Sequence, residues 1–178
     1  MQKQKEQKID WSILLHDIRS VQNVASIFRL SEVFGVNKIY LSGITPGPVD
    51  RFNREREDFI KISLGTEKSV RWERVEGDVK EFIQKFKEPH LTSPINRGGT
   101  EQGIVIGIEQ SANSVDYKKV EIDENKKYLV VPGREVEGLD ENILKLCDMV
   151  AEIPQYGNKE SLNIFSATSI VVARFFDK

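Results

Sequence analysis

The sequence predicts an α/β fold, a mostly parallel sheet flanked by helices, and three observations predict it. Short apolar runs rich in branched residues, such as Ile104-Val105-Ile106 and Tyr128-Leu129-Val130-Val131, fit strands covered on both faces. Stretches with apolar residues at helical spacing alternate with those runs, as crossover helices between parallel strands do. Two glycine-bearing turns, around Gly133 and Gly157, each follow a strand and lead toward a helix, where α/β proteins hold their ligands.

Residues 1–10, opening Met1-Gln2-Lys3-Gln4-Lys5-Glu6, have no apolar core and read as a flexible lead-in. The first element assigned is a helix over 21–34, where Val21, Val24, Ala25 and Phe28 interleave with Ile27, Leu30 and Phe34, and Gly35 stops it. A strand over 38–43 ends at the breakers Thr45-Pro46-Gly47-Pro48. Charges of alternating sign over 50–61 predict an exposed helix or loop. Next come a strand over 70–75, a helix over 79–86, and buried strands over 104–109 and 128–131. A short helix over 141–146, a strand over 150–154 and a helix over 162–176 complete the pattern. That last helix carries apolar residues nearly all round, Leu162, Ile164, Phe165, Ile170, Val171, Val172 and Phe175 among them. Such a helix needs cover on more than one side, so a two-fold homodimer is expected.

At 178 residues, 39% hydrophobic and 30% charged, the chain suits one domain with a substantial core, 1–178. The single cysteine, Cys147, excludes an internal disulfide, and His16 and His90 have no partner at metal-ligand spacing. A reduced, cytoplasmic, metal-free protein is expected, with no run long enough to cross a membrane. The net charge of −2, from 26 basic and 28 acidic residues, means that any RNA site is a local basic patch. No Gly-x-Gly-x-x-Gly follows a strand and no phosphate-cradling P-loop occurs, so a ligand is held by other means.

Three segments in order carry a family likeness: His16-Asp17-Ile18-Arg19-Ser20-Val21-Gln22-Asn23 through Arg29; Val131-Pro132-Gly133-Arg134-Glu135-Val136-Glu137-Gly138-Leu139; and Ile153-Pro154 through Ser161-Leu162-Asn163. Together they resemble the TrmH/SpoU branch of the SPOUT RNA methyltransferases. The likeness runs from about His16 to the C-terminus and also touches Lys61-Ile62-Ser63-Leu64-Gly65-Thr66-Glu67 and Ile108-Glu109. It implies S-adenosylmethionine as methyl donor, a ribose 2′-hydroxyl of tRNA or rRNA as acceptor, a dimer, and a deep trefoil knot near the C-terminus. Relatives often carry an extra RNA-binding domain; none is expected here. The competing readings are a non-catalytic RNA-binding or assembly dimer that keeps the fold, and an α/β protein for another nucleotide.

Methyl transfer from a sulfonium needs little help for the leaving group; the nucleophile must be aligned and lose a proton. By resemblance Arg29 serves that end. A guanidinium is effectively always protonated, so Arg29 is read as a fork for the target phosphate and the developing alkoxide, with literal proton abstraction the lesser option. Asn23, Glu135, Ser161 and Asn163 complete the implied catalytic group. Asn23, six residues before Arg29, is read as capping or opening the helix. Glu135 is read as accepting from Arg29 or a loop amide, or as a helix-start carboxylate, and Ser161 doubles as a possible N-cap. Glu109, Gly133, Ile153, Ser161 and Leu162 are the implied donor-binding positions. Arg19, Arg29, Arg54 and Arg134 are the candidate RNA contacts, with Arg51 and Arg56 beside them, and Arg134 at the ligand rim is read as meeting either RNA or the donor's carboxylate. Ala25, Arg134 and Val136 depart from the commoner family pattern, and none of the three removes a reacting group.

Overall fold

Branched and aromatic residues flanked by turn formers come together edge to edge as one seven-stranded sheet, ordered β3-β2-β1-β6-β4-β7-β5, with every neighbouring pair parallel. The computed structural model describes residues 9–89, 102–159 and 161–176. In chain order the strands are β1 Asp10–His16, β2 Lys38–Ser42, β3 Trp72–Arg74, β4 Gly103–Ile108, β5 Val115–Asp116, β6 Lys127–Pro132 and β7 Met149–Glu152. The helices are α1 Val21–Val33, α2 Glu57–Ser63, α3 Thr66–Ser69, α4 Val79–Lys87, α5 Glu141–Leu144 and α6 Ile164–Phe176. A short 3-10 turn, Tyr117–Lys119, follows β5.

The predicted α/β sheet is therefore present, with one omission at its centre. The run Trp11-Ser12-Ile13-Leu14-Leu15 was not assigned, yet β1 is buried along its length and pairs with β2 and β6. The lead-in expected over 1–10 thus ends earlier than expected, because Asp10 already pairs with Lys127; residues 1–8 lie outside those described. β5, two residues long, was likewise unassigned. The final helix begins at Ile164 rather than at Leu162.

Alternation along β1 sorts the core. Trp11, Ile13 and Leu15 face α1 and α6, where they meet Ile27, Phe28, Val171, Val172 and Phe175. Leu14 faces the opposite layer, with Ile83 and Phe86 of α4, Val105, Leu129 and Ile143 of α5. Trp11 stacks between Tyr128 at 4.9 Å and Phe175 at 4.8 Å, so the central strand, its neighbour and the last helix share one aromatic column. Helix ends follow local chemistry. Ser20 caps α1 through the Asn23 amide, Asp78 caps α4 through Lys80 and Asp140 caps α5 through Asn142. α1 stops at Gly35, whose φ of 63° suits a residue without a Cβ.

Candidate active site

The carboxyl ends of β4, β6 and β7 stop level with one another, Ile108 pairing with Pro132 on one side and Ala151 on the other. Beyond them opens a cleft of about 340 Å³, within the size range of small-molecule sites. Its lining includes Glu109, Gly133, Ile153, Ser161 and Leu162, the five positions assigned to the donor from sequence, together with Arg134 and Glu135.

The loop after β6 builds one wall. Gly133 donates its amide to Ile108 O at 3.0 Å, and the chain returns through a bridge in which Arg134 N meets Gly138 O at 3.2 Å. Arg134 Nε reaches the same carbonyl at 3.1 Å. Under this loop lies Glu109, whose Oε2 accepts from Leu139 N at 2.8 Å and whose Oε1 accepts from Gln110 N at 2.9 Å. A Cβ on either Gly133 or Gly138 would overlap that carboxylate, and Gly138 also has a φ of 68°. The two glycines are therefore explained by the acid beneath them. Glu109 forms the floor of the cleft with both its oxygens committed to backbone.

The three motif segments meet through a polar chain. Glu135 Oε1 accepts from Ser20 N at 3.2 Å and Asn23 Nδ2 at 3.3 Å, and its Oε2 accepts from Arg19 N at 3.4 Å. Asn163 Nδ2 donates to Asn23 Oδ1 at 3.0 Å, while Asn163 Oδ1 accepts from the amides of Phe165 and Ser166 at the start of α6. A carboxylate at the first turn of α1 is favoured by the orphan amides and the helix dipole.

These contacts correct several expectations. Ser20, not Asn23, caps α1; Asn23 sits inside the first turn with its side chain buried and directed at Glu135 and Asn163. Glu135 accepts from the Arg19 and Ser20 amides of the loop before α1, the loop-amide alternative, and meets neither Arg29 nor the start of a helix of its own. Asn163, not Ser161, holds the first amides of α6. The Arg29 side chain is exposed on α1, makes no hydrogen bond or ion pair to any described residue, and is not part of the cleft wall. Six residues at about 100° each turn it roughly 240° around the helix from Asn23.

Of the remaining arginines, Arg134 borders the cleft with its guanidinium 4.0 Å from Asp17. Arg19 pairs with Glu137 at 3.2 Å, Arg54 with Asp50 at 2.7 Å and Arg56 with Asp58 at 2.8 Å. Arg54 and Arg56 thus carry local carboxylate partners and stand apart from the cleft.

His16 and Asp17 open the first motif, and the sequence assigns neither of them a role. Asp17, at φ 53°, places Oδ1 under the Gly43 turn and accepts from Ile44 N at 3.0 Å, tying the end of β1 to the end of β2. His16 Nδ1 lies 2.9 Å from Ser42 Oγ; burial holds its imidazole below the usual pKa, opposed by the neighbouring Asp17 carboxylate. The Asp17 conformation had no sequence signal of its own. Burial also pushes the Cys147 thiol up to about 11, which makes it a poor nucleophile. Among the described residues no cluster of three His, Cys, Asp or Glu side chains could hold a metal, and no helix is long and apolar enough to cross a membrane.

The chain is 27% identical over 169 residues to a tRNA (guanosine(18)-2′-O)-methyltransferase of Aquifex aeolicus, covering 95% of this chain and 69% of that protein. A protein of the same name from Thermus thermophilus is 28% identical over 163 residues, covering 92% and 72%. Among solved structures, an AdoMet-bound rRNA methyltransferase of Sinorhizobium meliloti superposes with a TM-score of 0.75 at 23% identity, over 93% of this chain and 55% of that one. The TrmH/SpoU tRNA modifying enzyme of A. aeolicus gives 0.70 at 23% identity, over 96% and 75%. The chain thus spans about half the length of the S. meliloti protein and about seven-tenths of the two bacterial tRNA enzymes. The same α/β arrangement recurs in both structures, and residues 10–173 match the model of the SpoU rRNA Methylase family: the chain belongs to that family.

Proposed function

We propose that this chain transfers the methyl group of S-adenosylmethionine to a ribose 2′-hydroxyl of tRNA or rRNA. The observation that carries the reading is the Glu135–Asn23–Asn163 chain, which draws three segments distant in sequence to the rim of one cleft. S-Adenosylmethionine would supply an electrophilic methyl on a sulfonium; its C–S bond would break as a C–O bond to the ribose forms, with S-adenosylhomocysteine leaving as the neutral thioether and the hydroxyl proton passing to solvent water.

The residues present fit such a donor. Ala151, Ile153, Leu162 and Ile164 offer apolar wall for an adenine, and Arg134 offers a guanidinium for a carboxylate. Glu135 and Asn163 hold the loop and the start of α6 in place, so alignment is prepared before substrate arrives. Arg29, exposed and unpaired among the described residues, is free to grip the target phosphate and favour the developing alkoxide. Its place outside the cleft wall supports a complete site assembled with RNA or with a second copy of the chain. A homodimer is further supported by exposed Ile170 on α6 and Val33 on α1, two helices that pack together. A C-terminal knot is what the family likeness supports. The cytoplasm, where tRNA and rRNA are found, is the compartment this reading assigns.

A thermal shift with S-adenosylmethionine tests the cleft, and labelled-methyl transfer into tRNA and rRNA from cells lacking the gene tests the reaction. Stabilisation and transfer are expected. Donor stabilisation without transfer into either RNA would favour the non-catalytic binding dimer. Arg29→Ala is expected to lower turnover by about a hundredfold or more while melting temperature and donor binding hold. Near-normal turnover in that variant would remove Arg29 from the reaction, and sedimentation of the free chain as a monomer would remove the dimer.

A further inference from the structure

The stretch between β2 and α2 folds into a small closed hairpin whose tip is an exposed aromatic ring. Val49 and Glu55 bridge in antiparallel fashion, Asp50 N donates to Arg54 O at 2.9 Å, and Asn53 N donates to Asp50 O at 2.9 Å with Asn53 at φ 60°. The Asp50 carboxylate locks the turn from within. Its Oδ1 accepts from the amides of Phe52 at 2.8 Å and Arg54 at 3.0 Å, and its Oδ2 accepts from Arg54 Nε at 2.9 Å and Nη2 at 2.7 Å. An Asx turn of this kind leaves little freedom at the tip.

What the turn presents is Phe52, 63% exposed, with the Arg51 guanidinium 4.7 Å and the Arg54 guanidinium 5.1 Å from its ring centre. Both guanidinium groups lie over the ring, and that pair of charges makes a poor seat for an apolar protein surface. They suit a flat, polarisable ligand joined to a negative backbone. Stacking of unpaired bases on aromatic rings, with arginine beside them, is the recurrent way proteins take single-stranded nucleic acid. Arg51 has no carboxylate partner among the described residues, so the tip keeps a free positive charge for a phosphate.

The hairpin is also fastened to the helix that carries Arg29. Thr45 Oγ1 donates to Leu15 O at 3.0 Å and accepts from Ile18 N at 3.1 Å, which anchors the segment entering the hairpin just before α1. On the far side Arg56 N donates to Pro48 O at 2.9 Å, and Phe59 of α2 meets Phe28, the neighbour of Arg29, edge to face at 5.1 Å. We infer that the 49–55 hairpin presents Phe52, between Arg51 and Arg54, as a stacking platform for an unpaired base of the RNA substrate. This rests on the RNA-methyltransferase reading above and adds how the substrate is held.

The test uses the full chain and unmodified tRNA and rRNA from cells lacking the gene. Phe52→Ala is expected to raise the RNA Kd and KM about tenfold, the usual loss for one stacked base. Turnover at saturating RNA and the donor-induced thermal shift stay as in the wild type, and Phe52→Tyr restores binding. Arg51→Ala, which leaves every Asp50 hydrogen bond in place, is expected to weaken RNA binding by a smaller factor. It decides the matter if Phe52→Ala melts early. An RNA Kd unchanged in Phe52→Ala, on RNA that the wild type methylates, overturns the platform and leaves the activity standing. So does a changed sedimentation coefficient with RNA binding intact, which would mark Phe52 as a protein contact. Failure of the wild type to bind or methylate either RNA defeats the activity and the platform together.

Discussion

Two loops of this molecule are each locked by one carboxylate that accepts backbone amides, and they differ in where those amides come from. Asp50 takes the amides of Phe52 and Arg54, its own near neighbours, and so makes a turn that stands by itself. Glu135 takes the amides of Arg19 and Ser20 and the side chain of Asn23, all more than a hundred residues earlier in the chain. The first acid shapes a piece of surface. The second joins the loop after β6 to the start of α1, and through Asn23 and Asn163 to the start of α6. A local lock costs little entropy and depends little on the rest of the fold. A long-range lock exists only once the sheet has brought its partners together, so its loss is felt across the site.

The sharpest way to break the contrast is from beneath the second loop. Gly138→Ala places a Cβ on a left-handed residue and against the Glu109 carboxylate. A loss of about 2–3 kcal/mol is expected in urea unfolding, from backbone strain and the displaced Leu139 hydrogen bond. Donor affinity falls with it, and a wild-type donor Kd in this variant would detach the loop from the cleft. A smaller effect is expected from Glu135→Ala, about 1–2 kcal/mol, with weaker donor binding and amide exchange accelerated at Ser20 and Asn23. Asp50→Ala, its counterpart, is expected to accelerate exchange only at the hairpin and to leave donor affinity untouched. Matching exchange patterns in the two variants would refute the distinction between local and long-range locks.

The smallest expected effect concerns the junction of β1 and β2. Burial lowers the pKa of the His16 imidazole in the folded chain, against the opposing Asp17 carboxylate, whereas the unfolded chain binds a proton near the ordinary pKa of 6.5. The unfolded state therefore holds more protons on the acid side, and stability is lost as pH falls below about 6.5. His16→Gln is expected to flatten that limb in urea midpoints compared between about pH 7.5 and 5.5. An unchanged slope would assign the acid sensitivity to other groups.

Much of the fold was legible because the buried strands are short apolar runs between turn residues. Helix α1 carries its own stop signal at Gly35. The central strand escaped because Trp11-Ser12-Ile13-Leu14-Leu15 follows a charged opening and contains a serine, so neither alternation nor a clean apolar block marked it. Its burial comes from neighbours on both edges and both faces. The site was legible as motifs in order: Glu109, Gly133, Ile153, Ser161 and Leu162, the positions read as donor contacts, line one cleft. Their contacts were not. Asn23 was read as a cap because asparagine caps helices, yet Ser20 holds that place and frees Asn23 to bridge Glu135 and Asn163. Gly133 was read as a donor contact, and the structure adds that Glu109 leaves no room for a side chain there.

By itself the sequence determined the alternation of strands and helices, the absence of common nucleotide fingerprints and the three motif segments with their order, since these depend on local propensity and residue chemistry. Tertiary structure alone decided that β6 enters between β1 and β4, and that Glu135 serves a helix more than a hundred residues upstream. It also decided that Arg29 stands on the open face of α1 while Asn23 turns inward. Hydrogen bonds between distant segments and the side of a helix that faces water are set by packing, and packing is a property of the whole chain.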